Sequence, residues 1–216
     1  MQKIEILKSK ELIDYPYSIK IMENRVRAIS EGKKDELIWF LNHNEIYTQG
    51  ASASKDEIIK KSIIPVLKTN RGGKTTYHGP GQRIVYFMIN LNNRKKDIRK
   101  FITIIENSTI NFLKIYDIEA TTFRDRIGIW VTKFKNKSLK KEEKIGAIGL
   151  RVKKWITYHG LSFNINTNLN NYNNIHACGL QNFKNTSLEK LGINIDYHQF
   201  DVEFKNIFLK ELKKLD

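Results

Sequence analysis

The chain has 216 residues, a length that suits one domain with a real core, and its 40% hydrophobic and 28% charged content is that of a folded globular protein. No apolar run approaches 18 residues, Met1-Gln2-Lys3-Ile4-Glu5 has no apolar secretory core, and a single cysteine excludes an internal disulfide or a multi-thiolate zinc site, so the expected setting is the cytoplasm. The net charge of +15 raises nucleic-acid binding, but the lysines are spread among Ile and Asn and the densest basic stretch, Lys133 to Lys144, has no aromatic platform pattern, so no nucleic-acid or membrane partner is expected.

In chain order, Ile19, Met22, Val26 and Ile29 recur at helical spacing within Tyr17 to Glu31. Glu36 to Leu41 reads as a buried strand, and Ser54-Lys55-Asp56-Glu57 has capping-box spacing that predicts a short helix. Strands are predicted over Ile63 to Thr69 and Ile84 to Asn90. Asp97 to Tyr116 is an amphipathic helix with Ile98, Phe101, Ile102, Ile105, Phe112 and Leu113 on one side. Gly128 to Lys133 reads as a strand and Phe134 to Glu143 as a charged surface loop. Strands Lys144 to Val152 and Trp155 to Asn166 follow, joined by a tight turn at Lys153-Lys154. An asparagine-rich loop, Asn166 to Asn174, leads to Cys178, and Phe204, Ile207, Phe208 and Leu212 close the chain with a helix. No repeat or linker appears, so residues 1–216 are read as one domain. Without strict βαβ alternation, the class is α+β (mixed α/β), with a mixed, largely antiparallel sheet packed by helices.

Between two of these strands lies Arg71-Gly72-Gly73-Lys74-Thr75-Thr76-Tyr77-His78-Gly79-Pro80-Gly81-Gln82, which holds four of the chain's 12 glycines and one of its 3 prolines. Glycine lets backbone approach a ligand closely and turn its N–H groups into a shared concavity. Gly73-Lys74-Thr75 resembles the end of a phosphate-binding Walker loop, but that loop needs a glycine where Lys68 stands.

A second segment runs Lys144-Ile145-Gly146-Ala147-Ile148-Gly149-Leu150-Arg151 and continues to Tyr158-His159-Gly160-Leu161-Ser162. Strand alternation places Lys144, Gly146, Ile148 and Leu150 on one side and Ala147, Gly149 and Arg151 on the other. The third segment is His176-Ala177-Cys178-Gly179-Leu180, whose cysteine lies in a polar loop rather than an apolar run. His43, His78, His159, His176 and His198 show no metal-ligand spacing with it.

Together the three segments resemble the lipoyl(octanoyl) transferases of the biotin/lipoate-ligase-like superfamily. Arg71, Gly72, Gly73, Thr76, His78, Pro80, Gly81 and Gln82 fit the family's R-G-G-x-x-T-x-H-x-P-G-Q; the second segment fits K-x-x-A-x-G-x-R and H-G-L; the third fits P-C-G with Ala177 in place of proline. The resemblance implies a fold like the catalytic domain of biotin and lipoate protein ligases, acting as a cofactor-free, monomeric acyltransferase. It implies octanoyl transfer from octanoyl-acyl carrier protein to a lysine of lipoyl domains, in 2-oxoacid dehydrogenase complexes and the glycine cleavage H protein. Cys178 would hold the acyl group as a thioester and Lys144 would be its acid/base partner. Arg71, Gly72, Gly73, Lys74, Thr75, Thr76, Tyr77 and His78, with Ala147, Ile148, Gly149, Gly160, Leu161 and Ser162, would bind substrate. Backbone N–H groups near Gly72, Gly73 or Gly79, or the His78 ring, would serve the oxyanion. Small residues at Gly146, Ala147, Gly149 and Gly160 would leave an acyl channel open. The rival readings are an ATP-dependent lipoate or biotin ligase, a hydrolase using His78 or His159 as base, and a basic nucleic-acid-binding module.

Overall fold

The computed structural model describes residues 3–179 and 183–215, the side chains of Lys55 and Cys178 excepted. It begins with β1 (Ile4–Ile13), α1 (Tyr15–Ser30), β2 (Glu36–His43) and β3 (Ile46–Gln49). Next come β4 (Val66–Lys68), β5 (Thr76–His78), β6 (Gln82–Met88) and α2 (Ile98–Lys114), then β7 (Ile118–Thr121), β8 (Ile129–Phe134), β9 (Lys137–Lys153) and β10 (Ile156–Asn164). The short β11 (Lys184–Asn185) and α3 (Tyr197–Leu212) complete it. The main sheet runs β1-β2-β6-β10-β9-β8-β7, with β11 added beside β9, and β4-β3-β5 form a second, three-stranded sheet. In the main sheet only the β1–β2 and β11–β9 pairs are parallel. The mixed α/β class and mixed sheet agree with the sequence reading.

The central strands are buried on both faces, which is why they read as unbroken apolar runs rather than alternating ones. In β2, Ile38 and Phe40 join the core beneath α2 and α3, while Leu37, Trp39 and Leu41 pack with Met22, Val26 and Ile29 of α1. In β6, Val85 and Phe87 face the first cluster, and Ile84, Tyr86 and Met88 the second. Asp14 and Asp97 cap α1 and α2 by accepting from Tyr17 N and Lys100 N, fixing two starts that the periodicity located only to within about two residues. Among the described residues no helix is long and apolar enough to cross a membrane.

Three expectations change. Phe134 to Glu143 is not a loop: Lys135 and Asn136, with φ of 47° and 61°, form a two-residue turn, and β9 starts at Lys137. Left-handed pairs match the twist of a hairpin; only Phe134 and Leu139 of this one pack against the core, and its other residues are mostly charged, so the apolar pattern was too sparse to read as strands. The next turn likewise falls at Lys154 and Trp155 (φ 51° and 62°), one residue later than predicted. Ser54 makes no side-chain cap, and Lys55–Glu57 is a single 3-10 turn. Its would-be capping residue, Glu57, turns inward and accepts from Thr75 N at 2.8 Å.

Candidate active site

The glycine-rich segment folds around its own arginine. Arg71 is buried, and its guanidinium donates to Thr48 Oγ1 (3.1 Å), Thr48 O (2.6 Å), Lys74 O (2.7 Å) and Gly72 O (2.9 Å). The charged fork therefore pins residues 71–74 onto β3. The loop also presses onto β9: a Cβ on Gly149 would meet Gly72 O at 2.9 Å, and one on Gly72 would meet Leu150 O at 2.8 Å. Gly160 is similar, since its Cβ would lie 2.0 Å from Val85 O of the neighbouring strand. These glycines admit close backbone contacts, and Gly149 and Gly160, with Ala147, also line the cavity beneath the loop.

Beneath the loop, on the α1 side of the sheet, is a cavity of about 260 Å³. Arg71, Gly72, Gly73, Lys74, Thr76 and His78 line it from one side. Ala147, Ile148 and Gly149 of β9 and Gly160, Leu161 and Ser162 of β10 line it from the other. Thr75 and Tyr77 do not. Strand alternation turns Tyr77 into a separate cluster with Tyr47 and Tyr172, its hydroxyl donating to Glu45 Oε1 (2.9 Å), and Thr75 is tied down by Glu57. The cavity also takes Tyr15, Ile84, Tyr86, Arg126 and Ile127, none of them singled out from the sequence.

The histidines at the inner end are neutral acceptors. Gln82 Nε2 donates to Tyr172 Oη (2.8 Å) and Asn164 Oδ1 (3.1 Å), so its Oε1 faces His78 Nδ1 at 2.7 Å. His78 therefore carries its proton on Nδ1 and turns a bare Nε2 lone pair to a site where no described group meets it. Burial holds its pKa well below the ordinary value. A lone pair cannot donate, so the His78 ring does not serve as an oxyanion donor through Nε2. His159 sits at φ 59°, with Nδ1 unpartnered, and burial pulls its pKa down to about 3. A base that weak near neutrality argues against the Cys–His hydrolase reading. His43 is held at about 4 by the same desolvation, with Nδ1 against Ile13 O and Nε2 against Tyr86 Oη.

These shifts carry a pH prediction. The unfolded chain binds protons on these histidines below the ordinary pKa of 6.5, and the folded chain does not until about pH 4 for His43 and 3 for His159. Stability is therefore full above pH 6.5 and is expected to fall by up to about 1.4 kcal/mol per pH unit per histidine as the pH drops from 6.5 to 4. Urea midpoints measured across that window check it.

Lys144 reaches the same region through a break in alternation. Ile129 pairs with Gly146 but Trp130 pairs with Lys144, so β9 carries one extra residue, a bulge at Ile145. Ile145 then joins the core with Ile148 and Leu150, and Lys144 moves to the side of Ala147. The sequence-based assignment of Lys144 to the Ile148 side is thereby overturned. Lys144 is buried, its Nζ donates to Ile127 O at 2.7 Å, and it lies 5.6 Å from the Trp130 ring centroid. It lines a polar groove of about 560 Å³ together with Trp130, His176 and Ala177. A void of about 10 Å³ between Thr76, Lys144, Ala147, Ser162 and Ala177 shares walls with the groove and with the apolar cavity.

The segment after Asn174 is held in place by backbone. His176 N donates to Glu57 O (2.7 Å), Ile59 N to Asn174 O (2.9 Å), and Gly179 N to His176 O (2.8 Å). Ala177–Gly179 forms one 3-10 turn. The Cys178 side chain and all of Leu180 lie outside the described residues. Lys74 crosses the turn, since a Cβ on Gly179 would meet its Nζ at 2.6 Å, and its ammonium pairs with Glu57 Oε1 at 3.6 Å.

The model of the lipoyl protein ligase A/B catalytic domain matches residues 14–209. An octanoyltransferase from Wolbachia pipientis subsp. Culex pipiens (strain wPip) is 46% identical over 207 residues, covering 95% of this chain and 98% of the relative. The chain belongs to the octanoyltransferase family. As a member of it, the protein is an acyltransferase. Among solved structures, a bipartite lipoate protein ligase from Thermoplasma acidophilum superposes with a TM-score of 0.67 at 13% identity, covering 100% of this chain and 84% of the other. The biotin protein ligase of Aquifex aeolicus gives 0.54 at 10% identity, covering 99% and 71%. At those identities the likeness concerns the fold.

Within this octanoyltransferase fold, the site residues that sequence reasoning missed come from elements remote in the chain. Tyr15 opens α1, Tyr86 is the mid-strand partner of Gly160, and Arg126 lies on the approach to β8, its guanidinium 3.7 Å from the Phe123 ring centroid. Each looks locally like a cap, a core aromatic or a surface charge. Gly128, where a Cβ would meet Lys144 Cε at 2.3 Å, was the one with a signal, a glycine at a strand start.

Proposed function

We propose that the protein transfers an octanoyl group from acyl carrier protein to a lysine of a lipoyl domain, through a thioester on Cys178. The carrying observation is that a small void walled by Lys144 and by Ala177, the residue before the cysteine, shares walls with an apolar cavity on one side and a polar groove on the other. In this reading the Cys178 thiol gives its proton to Lys144 and the thiolate attacks the donor's thioester carbonyl. The carbonyl reforms as the carrier thiolate leaves, taking a proton from Lys144. The acceptor's amine then attacks the enzyme thioester, loses a proton to Lys144, and expels the Cys178 thiolate, which takes that proton back. One thioester is exchanged for another and then for an amide, so no ATP is consumed. Burying about six methylenes in the cavity at ~0.8 kcal/mol each contributes about 5 kcal/mol, enough for selection by chain length. The same cavity would keep water from the thioester.

Intact mass after incubation with octanoyl-acyl carrier protein tests this. Wild type is expected to gain one octanoyl group, and Cys178→Ser none. Absence of the adduct on wild type, or attachment of free lipoate that needs ATP, would return the ligase reading.

A further inference from the structure

We infer that the polar groove beside Lys144 receives the phosphopantetheine arm of the acyl donor, as a site separate from the apolar cavity. The inference rests on the transfer reading above and adds where the other half of the donor lies. The groove is walled by three asparagines, Asn170, Asn173 and Asn185, and by Lys184 and Lys190, with Ile59, Leu169 and Phe183 supplying an apolar wall. No carboxylate is among its described lining residues. Lys190 is tied to Glu143 Oε2 at 2.8 Å, whereas Lys184 makes no ion pair among the described residues. A phosphopantetheine arm is a chain of two secondary amides, a hydroxyl and a dimethyl carbon, ending in a phosphate. Asparagine side chains both donate to and accept from such amides, and a lysine ammonium suits the phosphate. The dimethyl carbon fits the apolar wall of Ile59, Leu169 and Phe183.

The alternative occupant is the acceptor lysine. Its ammonium would enter beside Lys184, which makes no ion pair among the described residues, along a wall whose described lining holds no carboxylate, so the groove's charge disfavours it as the resident occupant. The two compartments thus match the two halves of one thioester. The apolar cavity suits the hydrocarbon chain and the amide-lined groove suits the arm, with the shared void at the reacting carbonyl.

The first test uses the full chain with Cys178→Ser and 4′-phosphopantetheine lacking an acyl group, by titration calorimetry. Saturable binding is expected, weakened about tenfold by Lys184→Glu and also weakened by Asn173→Ala, two exposed positions whose folding a thermal melt checks. This readout needs no cysteine chemistry, so it stands or falls apart from the nucleophile. The second compares wild-type acylation by octanoyl-phosphopantetheine and by octanoyl-N-acetylcysteamine, which lacks the phosphate. The ratio of kcat/KM between them is expected to drop about tenfold in Lys184→Glu. Equal rates with octanoyl-coenzyme A and the carrier protein would assign the groove to the arm alone; faster transfer from the carrier protein would retain the groove and add a protein contact. No binding, an unchanged donor ratio, or a loss confined to the step that consumes the acceptor overturns the inference.

Discussion

Replacing Lys144 by alanine is expected to lower turnover by about 10²–10⁴-fold, and raising the pH is expected not to restore it. A lysine beside a cysteine can act in two ways, and magnitudes separate them. As a fixed positive charge it would favour the thiolate. A thiol of ordinary pKa near 8.5 is about 3% ionised at pH 7, and lowering the pKa to roughly 7 raises that about 16-fold. Nucleophilicity falls about fivefold over the same interval, with a Brønsted slope near 0.45, leaving a net gain of about threefold. Proton delivery to the leaving carrier thiol and removal from the incoming amine are worth far more. The structure suits the second role. Lys144 is buried in the sheet, its Nζ is held by a 2.7 Å hydrogen bond to Ile127 O, and it walls the void between cavity and groove. Single-turnover rates of Lys144→Ala from pH 7 to 10 decide between them: a rate that climbs to the wild-type level once any thiol is ionised would leave only the electrostatic role. Lys144→Arg is expected to fail as well, because a guanidinium does not release its proton.

Much of this site was legible before any coordinates. Arg71, Gly72, Thr76 and His78, with Ala147, Gly149, Gly160 and Ser162, are drawn from segments about seventy residues apart, and they wall one cavity. They were readable through the resemblance carried by the three motif segments; read alone, the glycines and small residues speak only of close backbone approach. Arg71 was legible as a residue and not as a role, because only the folded β3 shows that its guanidinium is consumed by Thr48 and Lys74. The face of Lys144 was misread for a related reason. Alternation is a sound rule until a bulge adds a residue, and the bulge at Ile145 is set by pairing with β8, which a single strand's pattern does not contain. β1 was not assigned at all. It is a parallel edge strand whose Lys8, Lys10 and Glu11 face outward, so it shows neither an apolar run nor clean alternation, the usual protection of an edge.

The bulge leads to a second large effect at a residue that touches no substrate in this reading. Gly128 precedes β8 with φ 140°, a conformation that side chains rarely adopt, and a Cβ there would meet Lys144 Cε at 2.3 Å, Lys144 Nζ at 2.9 Å and Gly146 O at 2.9 Å. Gly146 O is backbone inside the bulge and cannot retreat cheaply, whereas the end of the Lys144 side chain can. Gly128→Ala is therefore expected to push the Lys144 amine away from Ile127 O, at a backbone cost of about 1–3 kcal/mol. A displacement near 1 Å at a proton-transferring group can cost about 10²-fold, so kcat for acyl transfer is expected to fall 10- to 100-fold. Neither Gly128 nor Lys144 lines the apolar cavity, so it is expected to keep its affinity for the acyl chain, leaving KM for the donor nearly unchanged. Merely structural damage would instead lower the fraction of active enzyme without reshaping the pH profile. Steady-state kinetics on protein titrated for active sites separate the two outcomes. A wild-type kcat in folded Gly128→Ala would show that Lys144 does not need the place this glycine reserves for it.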